Sequence, residues 1–431
     1  MKKILTYLLK QLSHVWENLT ILFLLSFCTV LLFLPLVVND VPLWVNGKEH
    51  SFSPALDRNK ADQIIESVEG RSIFDLGSYD WQAFEEGTVI WPLIPYTYTS
   101  NSSRISRKVP PLAKNTYFST QGHSFSGRHW LGSSYGHDLL TDILYSSRTS
   151  LLIAISTLLL SLLFAMIAGG LASFYRNSFI GFSLWDILWL ILTACAIYFW
   201  VFYSRQYVEI SFLEGLIRLA ISMLIGLIWW MGRRLFHLIP LGVFQPGFQI
   251  SPDLLILKLI ELLNTFPGLM LIISFSIFFG DTIWDLVLIL GLLSWTGLAR
   301  IIRTEAFKLS ESGFIQAAEG IGMRPVSILF KHYLPNLISP LIIPLSTQLR
   351  GLLLIESALS FLKIGLKESV PSLGRLIAGT ITDYSSWWNI LFPGLTLCLL
   401  ILSLHILGEK IRDRFDPYMS SGSFNLLTKR S

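Results

Sequence analysis

The chain has 431 residues, of which 52% are hydrophobic and only 14% are charged, and its mean hydropathy is +0.57. This composition is typical of an integral membrane protein and excludes an ordinary soluble globule. The net charge of +4 is too small, and too confined to loops, to indicate nucleic-acid binding. The cysteines Cys28, Cys195 and Cys398 lie in apolar runs and predict neither a metal site nor a disulfide.

Apolar runs long enough to cross a bilayer, roughly 20 residues each, recur along the chain and predict about eight transmembrane helices. They lie at about 19–38, 149–174, 183–203, 213–232, 254–279, 282–302, 337–362 and 389–408. Lysines precede the first run, and no small-residue cleavage site follows it, so we expect a retained signal anchor. The positive-inside rule then predicts cytoplasmic N- and C-termini. Three basic clusters agree with this topology, at Arg233-Arg234, around 300–331 and at 410–414.

These runs predict four parts of the chain. They are an N-terminal tail with the first transmembrane helix at 1–38, an extracytoplasmic segment at 39–148, a membrane domain at 149–410 and a cytoplasmic tail at 411–431. The extracytoplasmic segment is rich in Ser, Pro, Gly and aromatic residues, so we expect irregular structure with short elements. Its histidines lack the spacing of known metal motifs: His50, His123, His129 and His137.

The end of the extracytoplasmic segment, HWLGSSYGHDLLTDILYSSRTSLLIA from His129, predicts a turn and then an amphipathic interfacial helix. Its leucines and isoleucine are expected to face lipid or protein. Asp138, Asp142 and Arg148 are expected to stay in water.

Carboxyl groups inside predicted spans are costly and often mark function. Glu261 follows Lys258 by three residues on one helix face, so an ion pair within the helix is expected. Glu356 shares its part of the span with Ser357 and, one helical turn on, Ser360. These three residues form a candidate translocation path, and structural hydrogen bonding of Glu356 is the equally open alternative.

A polar and basic stretch, FIQAAEGIGMRPVSILFKHYLPN at Phe314–Asn336, lies between two apolar runs and predicts two short amphipathic helices. Gly322 lies where the chain must turn, and Pro325 suits a first helical turn. Leu334-Pro335 is expected to stop the unit before the next span. The predicted apolar stripes are Phe314, Ile315, Ala317, Ala318 and Ile321 in the first helix, and Val326, Ile328, Leu329 and Phe330 in the second.

This stretch resembles the EAA loop of ABC-importer permeases, which reads EAA-x-x-x-G and ends in Leu-Pro. The matching positions are Gln316, Ala317, Ala318, Gly322, Leu334 and Pro335, with Gln316 in place of the family's Glu. The resemblance implies that residues 303–336 form a cytoplasmic coupling loop that fits a groove on a separate ATPase subunit.

From His129 onward the chain resembles the dipeptide/oligopeptide (DppC/OppC) permease family. The YejE-type microcin C/oligopeptide subtype is the most similar, through VND-x-PL at Val38–Leu43 and PSLG at 371–374. Departures include Ser133-Ser134 for the family's Thr-Asp, Gly136-His137 for its Gly-Arg, and Lys363 for a Gly. The chain also carries an extra apolar pair at about 181–250. This pair is either a peripheral lipid-facing addition or a docking surface for another membrane subunit.

The resemblance implies an all-α polytopic protein with the type I ABC-importer permease fold, six family spans and the inserted pair. It implies transport of peptides or peptide-like solutes across the inner membrane, together with a second homologous permease, ABC ATPase subunits and an extracytoplasmic solute-binding protein. No GxxxxGK[ST] loop occurs in the chain, so we expect no enzymatic activity and no cofactor here. ATP and Mg would be bound by the partner ATPase.

Two other classes of function, a secondary transporter or channel and an intramembrane enzyme, are alternatives to an ABC permease. A self-sufficient secondary transporter or channel would show an inverted repeat and broken helices at mid-membrane. No repeat is visible, and Asn264 with Pro267 is the helix-interrupting feature of that kind. An intramembrane enzyme would need a catalytic constellation, and the sequence shows no recognisable one. Neither class requires the polar stretch at Phe314–Asn336.

Overall fold

The structure is a computed structural model. It describes residues 2–39, 41–47, 51–53, 55, 87–96, 98, 109–118, 124–134, 137–174, 180–182, 248–279, 281–379 and 386–415. The predicted spans at 183–203 and 213–232, the basic pair Arg233-Arg234 and the last part of the tail lie outside these residues.

Long apolar helices dominate the described backbone. They are α1 Lys2–Leu32, α3 Leu139–Phe174, α6 Ile283–Ser310, α9 Leu334–Phe361 and α11 Trp388–Phe415, and a short α2 spans Leu34–Val37. Within the described ranges, four helical stretches are long and apolar enough to cross a membrane: Leu139–Gly170, Ile283–Ser310, Leu329–Phe361 and Trp388–Asp413. The apolar part of α1, Glu17–Leu32, is shorter. The prediction of a helical, polytopic membrane protein is confirmed.

The run at 254–279 forms two helices, α4 Pro252–Thr265 and α5 Gly268–Phe279, which meet at an angle of 83°. The predicted span at this run is thus bent, at the interruption that Asn264 and Pro267 predict. Pro267 has no backbone N–H to donate, and its ring disfavours helical geometry at the preceding residue. Phe266 is accordingly extended, with ψ of 141°. At the other end, the Ser251 hydroxyl accepts a hydrogen bond from the Leu254 N–H and so caps α4.

Short antiparallel strands occupy the described parts of the predicted extracytoplasmic segment, as the expectation of short elements allows. β1 Trp44–Gly47 pairs with β2 Ser51–Phe52 and β3 Gly87–Ile90, and β4 Lys114–Phe118 pairs with β5 Ser124–Arg128. β6 Ser133–Ser134 pairs with β7 His137–Asp138, just before α3. A further pair, β8 Ile180–Phe182 and β9 Phe248–Ile250, brings together the two ends of the inserted segment.

Asp138 starts α3 from a buried position, so the expectation that it stays in water is wrong. One carboxylate oxygen, Oδ1, lies 2.8 Å from the Nδ1 of His129, which is also fully buried. The other, Oδ2, accepts hydrogen bonds from the backbone N–H and the hydroxyl of Thr141, both at 3.0 Å. Asp138 thereby satisfies N–H groups that the first turn of a helix leaves free. The predicted interfacial helix and the following span are one continuous helix, with Arg148 exposed.

The backbone divides into two compact units, the first being residues 1–158, 282–284 and 342–431. Here α1 packs along α11, and the Lys410 ammonium lies 2.6 Å from the Asn18 side-chain oxygen. A short helix, α10 Leu373–Gly379, lies against α9 and α11. The Trp388 indole donates to the backbone oxygen of Ser133 and so attaches α11 to the β6–β7 pair.

The second unit comprises residues 159–281 and 285–341, and α6 forms its core. Two glycines bring α3 and α6 close together. A Cβ on Gly291 would lie 2.7 Å from Leu160, and one on Gly169 would lie 2.9 Å from the backbone oxygen of Ala299. Small residues allow such close helix contacts in membrane proteins, where packing replaces the hydrophobic drive between helices. The predicted coupling loop belongs to this unit.

Candidate functional site

The coupling segment, defined here as residues 313–335, begins with helix α7 Gly313–Gly320. The chain turns out of the helix two residues later, at Gly322, which has a φ of +75°, and nothing lies within 4 Å of the position of its absent Cβ. The Gly322 N–H bonds to the Glu319 oxygen, and the Met323 N–H bonds to the Ala318 oxygen. This pair of bonds is the Schellman motif, whose left-handed residue is usually glycine. The predicted turn at Gly322 thus has a defined geometry.

The two faces of α7 are buried differently. Ile315 and Ala318 are buried, at 0% and 6% exposure, and anchor the helix. Phe314 and Ile321, which the sequence places in the same stripe, are 47% and 79% exposed, and Phe330 on the following turn is 61% exposed. Large apolar side chains exposed on one short segment, here called the exposed apolar group, are typical of a protein-docking site.

The matched motif residues lie around this exposed apolar group. Gln316, Ala317 and Gly322 are exposed, whereas Ala318 points into the core. The Gln316 amide donates to the Glu311 backbone oxygen at 3.4 Å. Leu334 is half-buried and Pro335 exposed, both at the start of α9. Their role in coupling stays a prediction.

The expected stop at Leu334-Pro335 is wrong, because the helix continues without a break. After α8 Pro325–Ile328 comes a π-helical turn, Leu329–Tyr333, which runs directly into α9. Here the Leu334 N–H reaches back five residues to the Leu329 oxygen. Pro335 lacks an N–H, and its ring would clash with a carbonyl four residues earlier. Widening the helix by one residue relieves that clash.

Glu356 is fully buried within a group of serines. Its Oε1 accepts hydrogen bonds from Ser360 at 3.0 Å and from Ser372 at 2.9 Å, and its Oε2 lies 3.4 Å from Ser357. Burying a carboxyl group is costly unless such donors compensate it. The structure brings the three predicted residues together, and Glu356 has no exposed surface. Its part in a translocation path stays a prediction.

Ser372 was not predicted to belong to this group. It lies in the PSLG motif, where the next-but-one residue, Gly374, rests directly on α9. A Cβ at Gly374 would lie 1.9 Å from the Ser357 backbone oxygen. The serine and glycine of PSLG therefore attach α10 to α9 together, and the motif itself was the available signal for this contact.

Three further charged residues were singled out by sequence. The Lys258 ammonium lies 2.8 Å from Glu261, which confirms the predicted pair, and both side chains are well exposed. Lys363 has a φ of +60° and follows α9 at the left-handed position of a second Schellman motif. The family's glycine suits this position, so the departure at Lys363 has a conformational cost. Among the described residues, no group of His, Cys, Asp and Glu could hold a metal ion.

One known protein family matches the part of the chain that contains the coupling segment and the Glu356 group. Residues 239–421 match the family described as "Binding-protein-dependent transport system inner membrane component". This match includes the coupling segment, the Glu356 group and α11. The matched part of the chain therefore resembles an inner-membrane component of a binding-protein-dependent transport system.

Two relatives of the chain carry the name of oligopeptide transport permeases. The oligopeptide transport system permease protein OppC of Haemophilus influenzae is 32% identical over 210 residues, which is 48% of this chain and 64% of the relative. OppC of Salmonella typhimurium is 33% identical over 166 residues, or 38% and 55% of the two chains. The chain thus matches less than two thirds of the length of these relatives. A solved structure of the MetNI methionine ABC transporter aligns with a TM-score of 0.41 at 12% identity, over 64% of this chain and 98% of that one.

Proposed function

We propose that this chain is a permease subunit of an ATP-driven importer for peptides or peptide-like solutes in the inner membrane. A separate ABC ATPase would bind and hydrolyse ATP with Mg, and the coupling segment would transmit its movement. A second homologous permease would complete the pathway, and an extracytoplasmic binding protein would deliver the solute. The family match and the oligopeptide relatives support this proposal. The subtype proposed within this family is the YejE-type.

The observation that carries the proposal is the exposed apolar group on the coupling segment. Phe314, Ile321 and Phe330 project from a segment whose other side is fixed by buried Ile315 and Ala318. A rigid support with a protruding apolar surface suits docking into a groove, because little conformational freedom is lost on binding. A secondary transporter or channel has no need of such a surface.

Affinity purification of the chain in mild detergent, with mass spectrometry of the bound proteins, tests the proposal. We expect to recover an ABC ATPase and a second permease. In liposomes, the purified assembly should take up labelled tripeptides only with ATP. Recovery of the chain alone, with ATP-independent uptake of solute, would favour the secondary transporter instead.

A variant of the coupling segment separates docking from folding. Ile321→Asp should weaken ATPase binding by about 2 kcal/mol, roughly 30-fold, if Ile321 is central to the interface. Because Ile321 is 79% exposed, the fold of the chain should be unaffected. Glu319→Gln is the matched control, since Glu319 is an exposed neighbour on the same helix. Equal ATPase affinity of the two variants would contradict docking at this surface.

A further inference from the structure

Helix α4 is attached to α6 by a polar contact near each of its ends. Asp253, in the first turn of α4, meets Arg303, in the last part of α6. Asn264, in the last turn of α4, accepts a hydrogen bond from Thr296, two turns earlier in α6, at 3.3 Å. The order of these contacts shows that the helices run antiparallel. The contacts are separated by roughly 16 Å along α4 and 10 Å along α6 at 1.5 Å per residue.

The Asp253–Arg303 contact has two bonds. The guanidinium Nη2 lies 2.7 Å from Oδ2, and Nε donates to Oδ1. Both side chains are largely shielded, at 16% and 24% exposure. The Phe307 ring lies 4.5 Å from the guanidinium carbon and supports its orientation. Such a fork between Arg and a carboxylate fixes both distance and angle, which a single contact does not.

A cavity lies beside the apolar contact between the two helices. A cavity of about 510 Å³ is lined by side chains of both helices, including Leu259 and Leu263 of α4 and Leu292 of α6. Ile260 is the buried residue of α4, while several of its leucines are about half exposed. Where side chains lack partners, dispersion contacts are lost. The two polar contacts therefore supplement the apolar packing that joins α4 to α6.

Helix α6 lies between the coupling segment and α4, so it can pass a movement of the segment on to α4. The last residue of α6 is Ser310, only three residues before the coupling segment begins at Gly313. The far end of α4 is the 83° break at Phe266-Pro267. A movement of the coupling segment that displaces the end of α6 would therefore displace α4 through Asp253.

We propose that Asp253 and Arg303 are positioning residues that transmit movement of the coupling segment to α4 and to the break at Pro267. The proposal rests on the proposed function, because it requires an ATPase to move the segment. Neither residue touches solute or ATP in this mechanism. Their effect is on how much transport each hydrolysed ATP produces.

The test uses the purified complex with its partner subunits in liposomes and measures ATP hydrolysed per labelled tripeptide taken up. Asp253→Asn and Arg303→Gln should keep ATPase binding and ATP hydrolysis but raise this ratio roughly threefold or more. The exchange variant, Asp253→Arg with Arg303→Asp, should lower it again toward the wild-type value. Glu261→Gln is the matched control, because it removes the exposed ion pair with Lys258 on the same helix and should leave the ratio unchanged.

The outcomes distinguish the two proposals. An unchanged ratio in both single variants would overturn the link, as would an equal rise in Glu261→Gln or a rise that the exchange does not reverse. Arg303→Lys, which retains the charge but not the fork, gives an intermediate ratio if the link is correct and serves if a neutral variant fails to assemble. Absence of ATP-dependent uptake by the wild-type complex would overturn the proposed function itself, and the link with it.

Discussion

Replacing Gly374 by alanine should detach α10 from α9. The new Cβ would lie 1.9 Å from the Ser357 oxygen, 2.7 Å from the Ser357 carbonyl carbon and 3.0 Å from the Phe361 nitrogen. All three are backbone atoms of one helix, so no side-chain rotation relieves the overlap. Ordinary contact begins at 3.4 Å, and α10 must therefore move by about 1.5 Å, the difference between 3.4 and 1.9 Å.

The cost follows from that displacement. Moving α10 away by this distance takes the Ser372 hydroxyl from 2.9 Å to beyond hydrogen-bonding range of Glu356. Overpacking a well-packed contact costs about 1–3 kcal/mol, and leaving a buried polar group without its donor costs about 1–3 kcal/mol. We expect Gly374→Ala to lower the free energy of unfolding by about 4 kcal/mol, the middle of the combined range of about 2–6 kcal/mol.

The control is Gly379→Ala in the same short helix, where nothing lies within 4 Å of the added Cβ. It should change stability by at most about 1 kcal/mol, in the stabilising direction that helix propensity favours. Tryptophan fluorescence of the purified complex, followed through unfolding in detergent, measures both variants. If Gly374→Ala unfolds at the same midpoint as Gly379→Ala, close packing of PSLG against α9 is not what stabilises this region.

Three further predictions concern other sites. Lys363→Gly removes a Cβ from a left-handed position and should raise the free energy of unfolding by about 1 kcal/mol, which a higher melting temperature would report. Lys363→Ala keeps the Cβ and should leave the melting temperature unchanged. In a second variant, Asn-Gly replaces residues 183–247 and joins Phe182 to Phe248. Because β8 and β9 are already paired antiparallel, tags at the two termini should report an unchanged membrane topology. A C-terminal tag that changes sides would contradict this expectation. Burial lowers the pKa of His137 below its ordinary 6.5, so the unfolded chain binds the proton more readily and stability is lost as the pH falls below about 6.5. His137→Gln should lose less stability than the wild type over that interval, and parallel losses would show that this histidine does not contribute.

The features that sequence reasoning predicted best depend on local backbone rules. Gly322 was expected at a sharp turn, and it has the positive φ of a helix-terminating glycine. The pairing of Lys258 with Glu261 follows from their spacing on one helix. The four described helices that are long and apolar enough to cross a membrane follow from run length alone.

The errors arose where a distant partner or a proline decided the outcome. Asp138 was expected in water as part of the polar face of an interfacial helix, but His129, nine residues away, pairs with it in the interior. Pro267 was recognised as an interruption, yet an 83° bend depends on contacts that periodicity does not report. Ser372 joins Glu356 across sixteen residues of sequence, a contact that only the packing of α10 creates.

The π-helical turn before Pro335 sets the rotation of α9 about its own axis relative to Phe330 in the coupling segment. One residue in an α-helix corresponds to about 100° of rotation, so the extra residue within Leu329–Tyr333 determines which side of α9 faces the same way as Phe330. Deletion of one residue from this turn would keep Phe330 and the side chains of α9 but rotate them relative to each other by about 100°. Such a deletion barely alters the composition, the hydropathy or the length of the span, yet it changes which side chains face the same way. We therefore expect deletions in this turn to be far less tolerated than substitutions.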